Sequence, residues 1–207
     1  MSPHARYAAL GLAAALAVAP LAVGAQAAFT SDPAQVQAGA YRLDPAHSKI
    51  TWSVNHLGFS TYIGQFSQVE GDLKIDPKNP AAAQLAVTVD ANSVGTLNPA
   101  LDAHLKNPDF LDVARFPTAD FRATGVRLTG ERTADITGDL TLHGVTRPVV
   151  VQATFNQAGV NPLDKTYSLG FDGKAVLKRS DFGISTFLPA VGDEVTLTIE
   201  AELKKVG

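Results

Sequence analysis

The sequence predicts an all-β body, a barrel or sandwich of many short antiparallel strands interrupted by one helical insertion. Three observations carry that expectation. Apolar and polar residues alternate at period two in one segment after another, turn-forming residues separate those segments, and a single stretch repeats its apolar residues at helical spacing. Period-two alternation gives a strand one dry face and one wet face, and short connections favour antiparallel neighbours.

The strand at 49–55 sets Ile50, Trp52 and Val54 on one face. Strands at 63–69 and 71–75 follow, and Asp76-Pro77-Lys78-Asn79-Pro80 turns the chain into a strand at 85–89. Next comes the helix. Asn98 is a capping residue and Pro99 suits the first helical position, Leu101 and Leu105 share a face, and Asn107-Pro108 stops the run. A second short turn at 109–113 precedes Arg115-Phe116-Pro117. With Leu101, Leu105, Phe110, Leu111 and Phe116, this insertion is rich enough in apolar residues to form a lid or plug over the sheet. Strands then resume at 119–124, 136–142, 149–155, 167–177 and 195–203. Thr129-Gly130-Glu131, His143-Gly144 and Asn161-Pro162 mark turns between them.

The N-terminus carries an address. A short positive start through Arg6, an Ala, Leu and Val run over 10–21 closed by Pro20, and Ala25-Gln26-Ala27 make residues 1–27 a predicted signal peptide. A membrane anchor is disfavoured, because a span needs about 20 predominantly apolar residues. The mature chain is therefore expected in the periplasm or outside the cell, with no stable membrane span. Residues 28–40 lack a repeating apolar face and read as a flexible tether, leaving 41–207 as one domain. The chain has no Cys, so the fold must be held by its own core rather than by disulfides.

Composition narrows the function. Of the 17 Lys and Arg only Arg6 lies in the leader, against 20 Asp and Glu, so the body is mildly acidic and has no basic stripe for nucleic acid. The five His show no HxH, HxxxH or HExxH spacing, which disfavours a metal centre. A GxSxG elbow and a Gly-rich phosphate loop are both missing. No catalytic residue, metal or cofactor is expected. By parity the inward candidates are Ile50, Trp52, Val54, Leu85, Val87, Phe121, Ile136, Leu140, Phe155, Leu169, Phe171, Leu197 and Ile199, none of them ionisable. Such residues fill a solid core or line a greasy lumen, since a barrel of about eight strands has room for either.

Four blocks occur in one order: Ser53-Val54-Asn55-His56-Leu57-Gly58 with Gly64-Gln65-Phe66, residues 104–113 with Phe116-Pro117, residues 138–146, and Asp181-Phe182-Gly183-Ile184. Together they resemble the YceI-like, polyisoprenoid-binding proteins over nearly the whole of 41–204. The resemblance implies an extended lipocalin-like antiparallel β-barrel, often dimeric and often exported, that encloses a long isoprenoid or fatty-acyl chain without established catalysis. The residues expected to meet that ligand are Trp52, Val54, His56, Tyr62, Phe66, Phe110, Phe121, Leu140, Phe155, Phe171, Arg179 and Phe182. His56 either donates to a head group or is a structural histidine. Arg179, beside Lys178 and Asp181, either meets a prenyl pyrophosphate or forms a surface ion pair. Two other readings stay open: a small isomerase, cyclase or hydrolase using His56, and a structural or stress-response protein with a solid barrel.

Overall fold

The computed structural model describes residues 29–207, and the predicted leader at 1–27 lies outside them. The strands are β1 (Gly39–Leu43), β2 (Lys49–His56), β3 (Ser60–Phe66), β4 (Val69–Ile75), β5 (Gln84–Asp90), β6 (Val94–Gly95), β7 (Thr118–Leu128), β8 (Thr133–Leu142), β9 (Val145–Val160), β10 (Tyr167–Lys178) and β11 (Val191–Lys205), with α1 at Pro99–Leu105. These eleven segments make eight staves of a closed antiparallel barrel. The reason is that β1 and β2 lie end to end, as do β3 with β4 and β5 with β6. The β2–β3 ladder runs from His56 opposite Ser60 to Ile50 opposite Phe66, and the β1–β4 ladder continues it to Gly39 opposite Ile75. Neighbours around the ring follow chain order, and β11 returns to pair with both β1 and β2.

Breaks within the staves are stitched by polar groups. The expected strand at 63–69 is split at Ser67 and Gln68, where both backbone N–H groups donate to Ser93, itself in the break between β5 and β6. Two adjacent staves thus bend together. Alternation reveals neither β1 nor the two-residue β6; β3, β7, β8, β9 and β11 are found where it expects strands but extend past the expected ends, and the helix falls where its cap places it. Asn98 accepts hydrogen bonds from the Ala100 and Leu101 N–H groups at 3.2 and 3.3 Å, as its capping role requires.

The segment read as a flexible tether is docked on the barrel instead. Thr30 forms a two-way bridge with Ala158, Asp32 caps a 3-10 turn at Pro33–Gln35, and Val36 is buried. One apolar side chain at a barrel end needs no periodic pattern, so alternation could not reveal it. Val36 joins Tyr41, Leu43, Val69, Leu73, Val89, Phe155, Ala158, Leu169 and Leu203 in one buried apolar cluster. Burial and the neighbouring Tyr167 push the Tyr41 hydroxyl up to about 12.

The seam of the ring lies at 44–48. Asp44 N–H and Ser48 Oγ both donate to the Glu202 carbonyl, and Glu202 N–H donates back to Ser48 Oγ. The Asp44 carboxylate, 9 % exposed, meets Lys204 Nζ at 2.7 Å and His47 Nδ1 at 2.8 Å. Lys204 also contacts Asp164 at 2.7 Å. Asp44, His47 and Glu202 gather closely enough to suggest a metal site, yet the Lys204 ammonium already supplies the positive charge there. The Lys204 contact, then His47, lowers the Asp44 pKa to about 2. A depressed carboxylate pKa contributes stability above the unfolded value near 4 and loses it as pH falls toward 2. Asp44→Asn is therefore expected to cost about 2 kcal/mol at neutral pH and to flatten the stability loss between pH 4 and 2, read by urea unfolding across that window.

Candidate functional site

The barrel is hollow. A cavity of about 1010 Å³ runs along the axis, at the upper end of the roughly 300–1,000 Å³ usual for small-molecule sites. Its walls come from the inward positions of the strands. Ile50, Trp52, Val54, Leu85, Val87, Phe121, Ile136, Leu140, Phe155, Phe171, Leu197 and Ile199 all line it, so the interior is not the solid core that one sequence reading allowed. Leu169 is the exception among the inward candidates: it is fully buried within the apolar cluster and does not reach the lumen.

Glycines explain how large rings coexist with an open lumen. Trp52 pairs with Gly64 across β2–β3, and its indole covers that glycine so closely that an added Cβ would lie 2.2 Å from the ring. Phe121 covers Gly138 in the same way, with 2.3 Å to an added Cβ. Both rings lie along the wall instead of crossing the lumen. The Trp52 Nε1–H is buried there without an acceptor among the described residues.

One mouth carries the helical lid. Leu101, His104 and Leu105 of α1 line the cavity with Phe110, Leu111 and Phe187. The His104 ring stands edge-on to Phe110 at 5.0 Å and to Phe187 at 6.2 Å. Phe116 fixes the far side of the insertion by packing on His143 and over Gly144. The opposite mouth is bordered by residues 31–34, Pro77, Pro80, Glu131 and Arg132.

The sequence-predicted site residues divide clearly. Trp52, Val54, His56, Tyr62, Phe66, Phe110, Phe121, Leu140, Phe155 and Phe171 line the cavity. His56 and Tyr62 face one another near the lidded mouth, ring centroids 6.0 Å apart. Phe182 does not line it; the 3-10 turn at Arg179–Phe182 buries its ring outside the lumen. Arg179 touches the cavity wall but is 6 % exposed, and its guanidinium donates to the carbonyls of Gly192, Ile184, Thr186 and Val191 at 2.9–3.1 Å. It is neither a surface ion pair nor a free phosphate ligand. Its charge is used to hold the 183–192 loop, and burial lowers its pKa. His143 is likewise committed, with Nδ1 3.1 Å from the Phe182 carbonyl oxygen. His104, Phe187 and Val36 line the cavity without having been singled out, because loops and lone helix residues carry no period to read.

Fold and cavity together define a hollow up-and-down barrel with a lid, the architecture of a protein that encloses an apolar guest. The chain belongs to the YceI-like family: the YceI-like domain model matches residues 41–203. A UPF0312 protein of Pseudomonas aeruginosa is 41 % identical over 187 residues, covering 89 % of this chain and 95 % of its own. Burkholderia cenocepacia BcnA shares the fold with a TM-score of 0.70 at 25 % identity, covering 77 % of this chain and 98 % of its own. A polyisoprenoid binding domain from Saccharophagus degradans, 15 % identical, superposes with a TM-score of 0.61 over 82 % of this chain and all of its own.

The ring-on-glycine arrangement makes a direct prediction. Gly64→Ala must displace the Trp52 indole toward the lumen, an overpacking that costs about 1–3 kcal/mol and narrows the tunnel. Thermal unfolding should fall, and the capacity for a fluorescent fatty acid should fall with it. Trp52→Phe, which keeps a ring over Gly64 and removes the orphan donor, should retain both within error.

Proposed function

We propose that the protein is an exported, non-enzymatic carrier or store for a long apolar chain, an isoprenoid such as a prenyl quinone or prenyl phosphate, or a fatty-acyl molecule. The observation that carries this reading is the cavity of about 1010 Å³, walled almost wholly by aliphatic and aromatic side chains. Each buried methylene contributes about 0.8 kcal/mol, so a chain of roughly ten carbons gains several kcal/mol before ordering costs. Covalent chemistry is unnecessary for retention. An aqueous compartment outside the cytoplasm gives such a chain no comparable refuge, which supports placing the mature protein in the periplasm or beyond. The homodimer implied by the family resemblance is part of the same proposal, and light scattering of the purified protein reads it.

Mass spectrometry of an organic extract from the purified protein tests the reading. A long-chain isoprenoid or acyl species should be recovered, and added prenols or fatty acids should displace it. Recovery of no lipid together with no uptake of added chains would end the proposal. His56→Ala is expected to leave the retained chain in place and to change affinity by less than about tenfold, because one polar contact near the mouth adds little to burial along the lumen.

A further inference from the structure

The two ends of the barrel differ in chemistry. At the end opposite the lid the connections carry Asp76 and Lys78, Glu131 and Arg132, and Asp164 and Lys165, and even the exposed Leu163 is followed by a charged pair. At the lidded end three stretches contain no Asp, Glu, Lys or Arg: residues 57–69, 91–101 and 182–192. These are the turn between β2 and β3, the approach to α1, and the loop before β11.

The tips of those stretches are apolar and exposed. Phe59 is 90 % exposed, Leu97 100 %, Ile63 57 %, Phe187 56 % and Leu57 50 %. They are neighbours in space. Leu57 N–H donates to the Ala190 carbonyl at 2.8 Å, joining the β2–β3 turn to the loop that bears Phe187. Pairing of Gly95 with Gln65 sends the following residues along β3, toward the level of Ile63 and Leu97. Ser60 to Gly64 consequently form the margin of this rim.

Backbone conformation marks three of these five residues. Leu57, Leu97 and Phe187 have φ of 58°, 64° and 62°, the left-handed region that bulky side chains avoid. Among the described residues the other non-Gly residues there, Asp112, His143 and Lys165, are polar or charged. Nothing in folding favours a strained backbone that also displays an apolar side chain to water, so the rim points to an apolar partner.

We propose that this rim docks the lidded mouth onto the surface of a lipid bilayer. The side chains project singly from separate turns around a cavity mouth, which suits insertion into a fluid interface rather than a shape-matched protein surface. The stretches that bear them are uncharged, as burial at the level of lipid head groups and upper acyl chains requires. Of the charged side chains of the insertion, Asp102 is spent on the Thr96 N–H and hydroxyl at 2.7 and 2.6 Å, Asp112 is buried, and Asp109 and Arg115 are exposed to water. Phe187 belongs to both surfaces: it lines the tunnel and packs on His104 and Phe110 of the lid. A docked rim therefore places the bilayer against the side chains that close the lumen. This step rests on the carrier reading, since it supplies the route by which a chain leaves the lipid phase.

The absence of Cys allows a single-site reporter in the full chain. Ser60→Cys carrying an environment-sensitive nitrobenzoxadiazole should shift to the blue with phosphatidylcholine vesicles and be shielded from aqueous iodide. The same label at Lys78→Cys, at the opposite end, should stay in water. Adding Phe59→Asn and Leu97→Asn should weaken the Ser60 response at least about tenfold. Thermal stability should hold or rise, because Asn tolerates the left-handed backbone at position 97. A Ser60 label that stays in water overturns the proposal, including the case in which residues 10–21 alone bring the chain to the vesicle. Shielding that grows with protein concentration in the absence of vesicles identifies a second copy as the partner and also overturns it. If the tip stays in water while the extracted protein still yields lipid, docking falls and the carrier reading stands. If the tip inserts but no chain is ever bound, the reverse holds.

Discussion

Closure of the ring is the constraint on which the rest depends. A sheet that ends in two edges exposes rows of unpaired N–H and C=O groups, and only return of the last strand to the first removes them. Here β11 must serve β10 along one side and both β1 and β2 along the other, although the chain steps out between those two at 44–48. Glu202 holds the step in place through its backbone, and the Asp44, Lys204 and Asp164 charges brace it from outside. Once the ring is closed at eight staves its width is set, and the contents follow from side-chain volume.

Those contents leave a passage open along the axis. Tyr41, Ala158 and Leu169 are buried away from it, and the cluster they form with Phe155, Leu203 and other residues that also face the lumen supplies much of the apolar burial that folding needs. Nearer the lid the same inward positions alternate large rings with glycine, so that Trp52 lies on Gly64 and Phe121 on Gly138. The lumen is therefore wide because its largest side chains lie along the wall. Arg179 follows the same economy: its guanidinium organises a loop from within and brings no free charge to the tunnel.

Particular residues show how far the sequence could be read. Ile50, Trp52 and Val54 were placed on the inner face by parity alone, and Asn98 announced the helix it caps. Leu169 shared the parity of Phe171 but not its height, and period-two spacing reports a side of the sheet, never a level along the barrel axis. Phe182 and Arg179 sat in a recognisable block, yet a tight turn sends successive side chains in unrelated directions. Val36 and Phe187 lie in irregular segments, where no period exists to be read.

The sequence by itself determined which face of each strand is apolar, where turns and the helix cap fall, and a largely apolar inner inventory, because these are local consequences of backbone geometry. Only the tertiary structure decided that eleven segments make eight staves, that residues 29–38 dock on the barrel, and that the closed ring stays hollow along its axis. Those outcomes depend on pairing between residues as far apart in the chain as Tyr41 and Lys205. Such register is a property of the closed ring, and no window of neighbouring residues contains it.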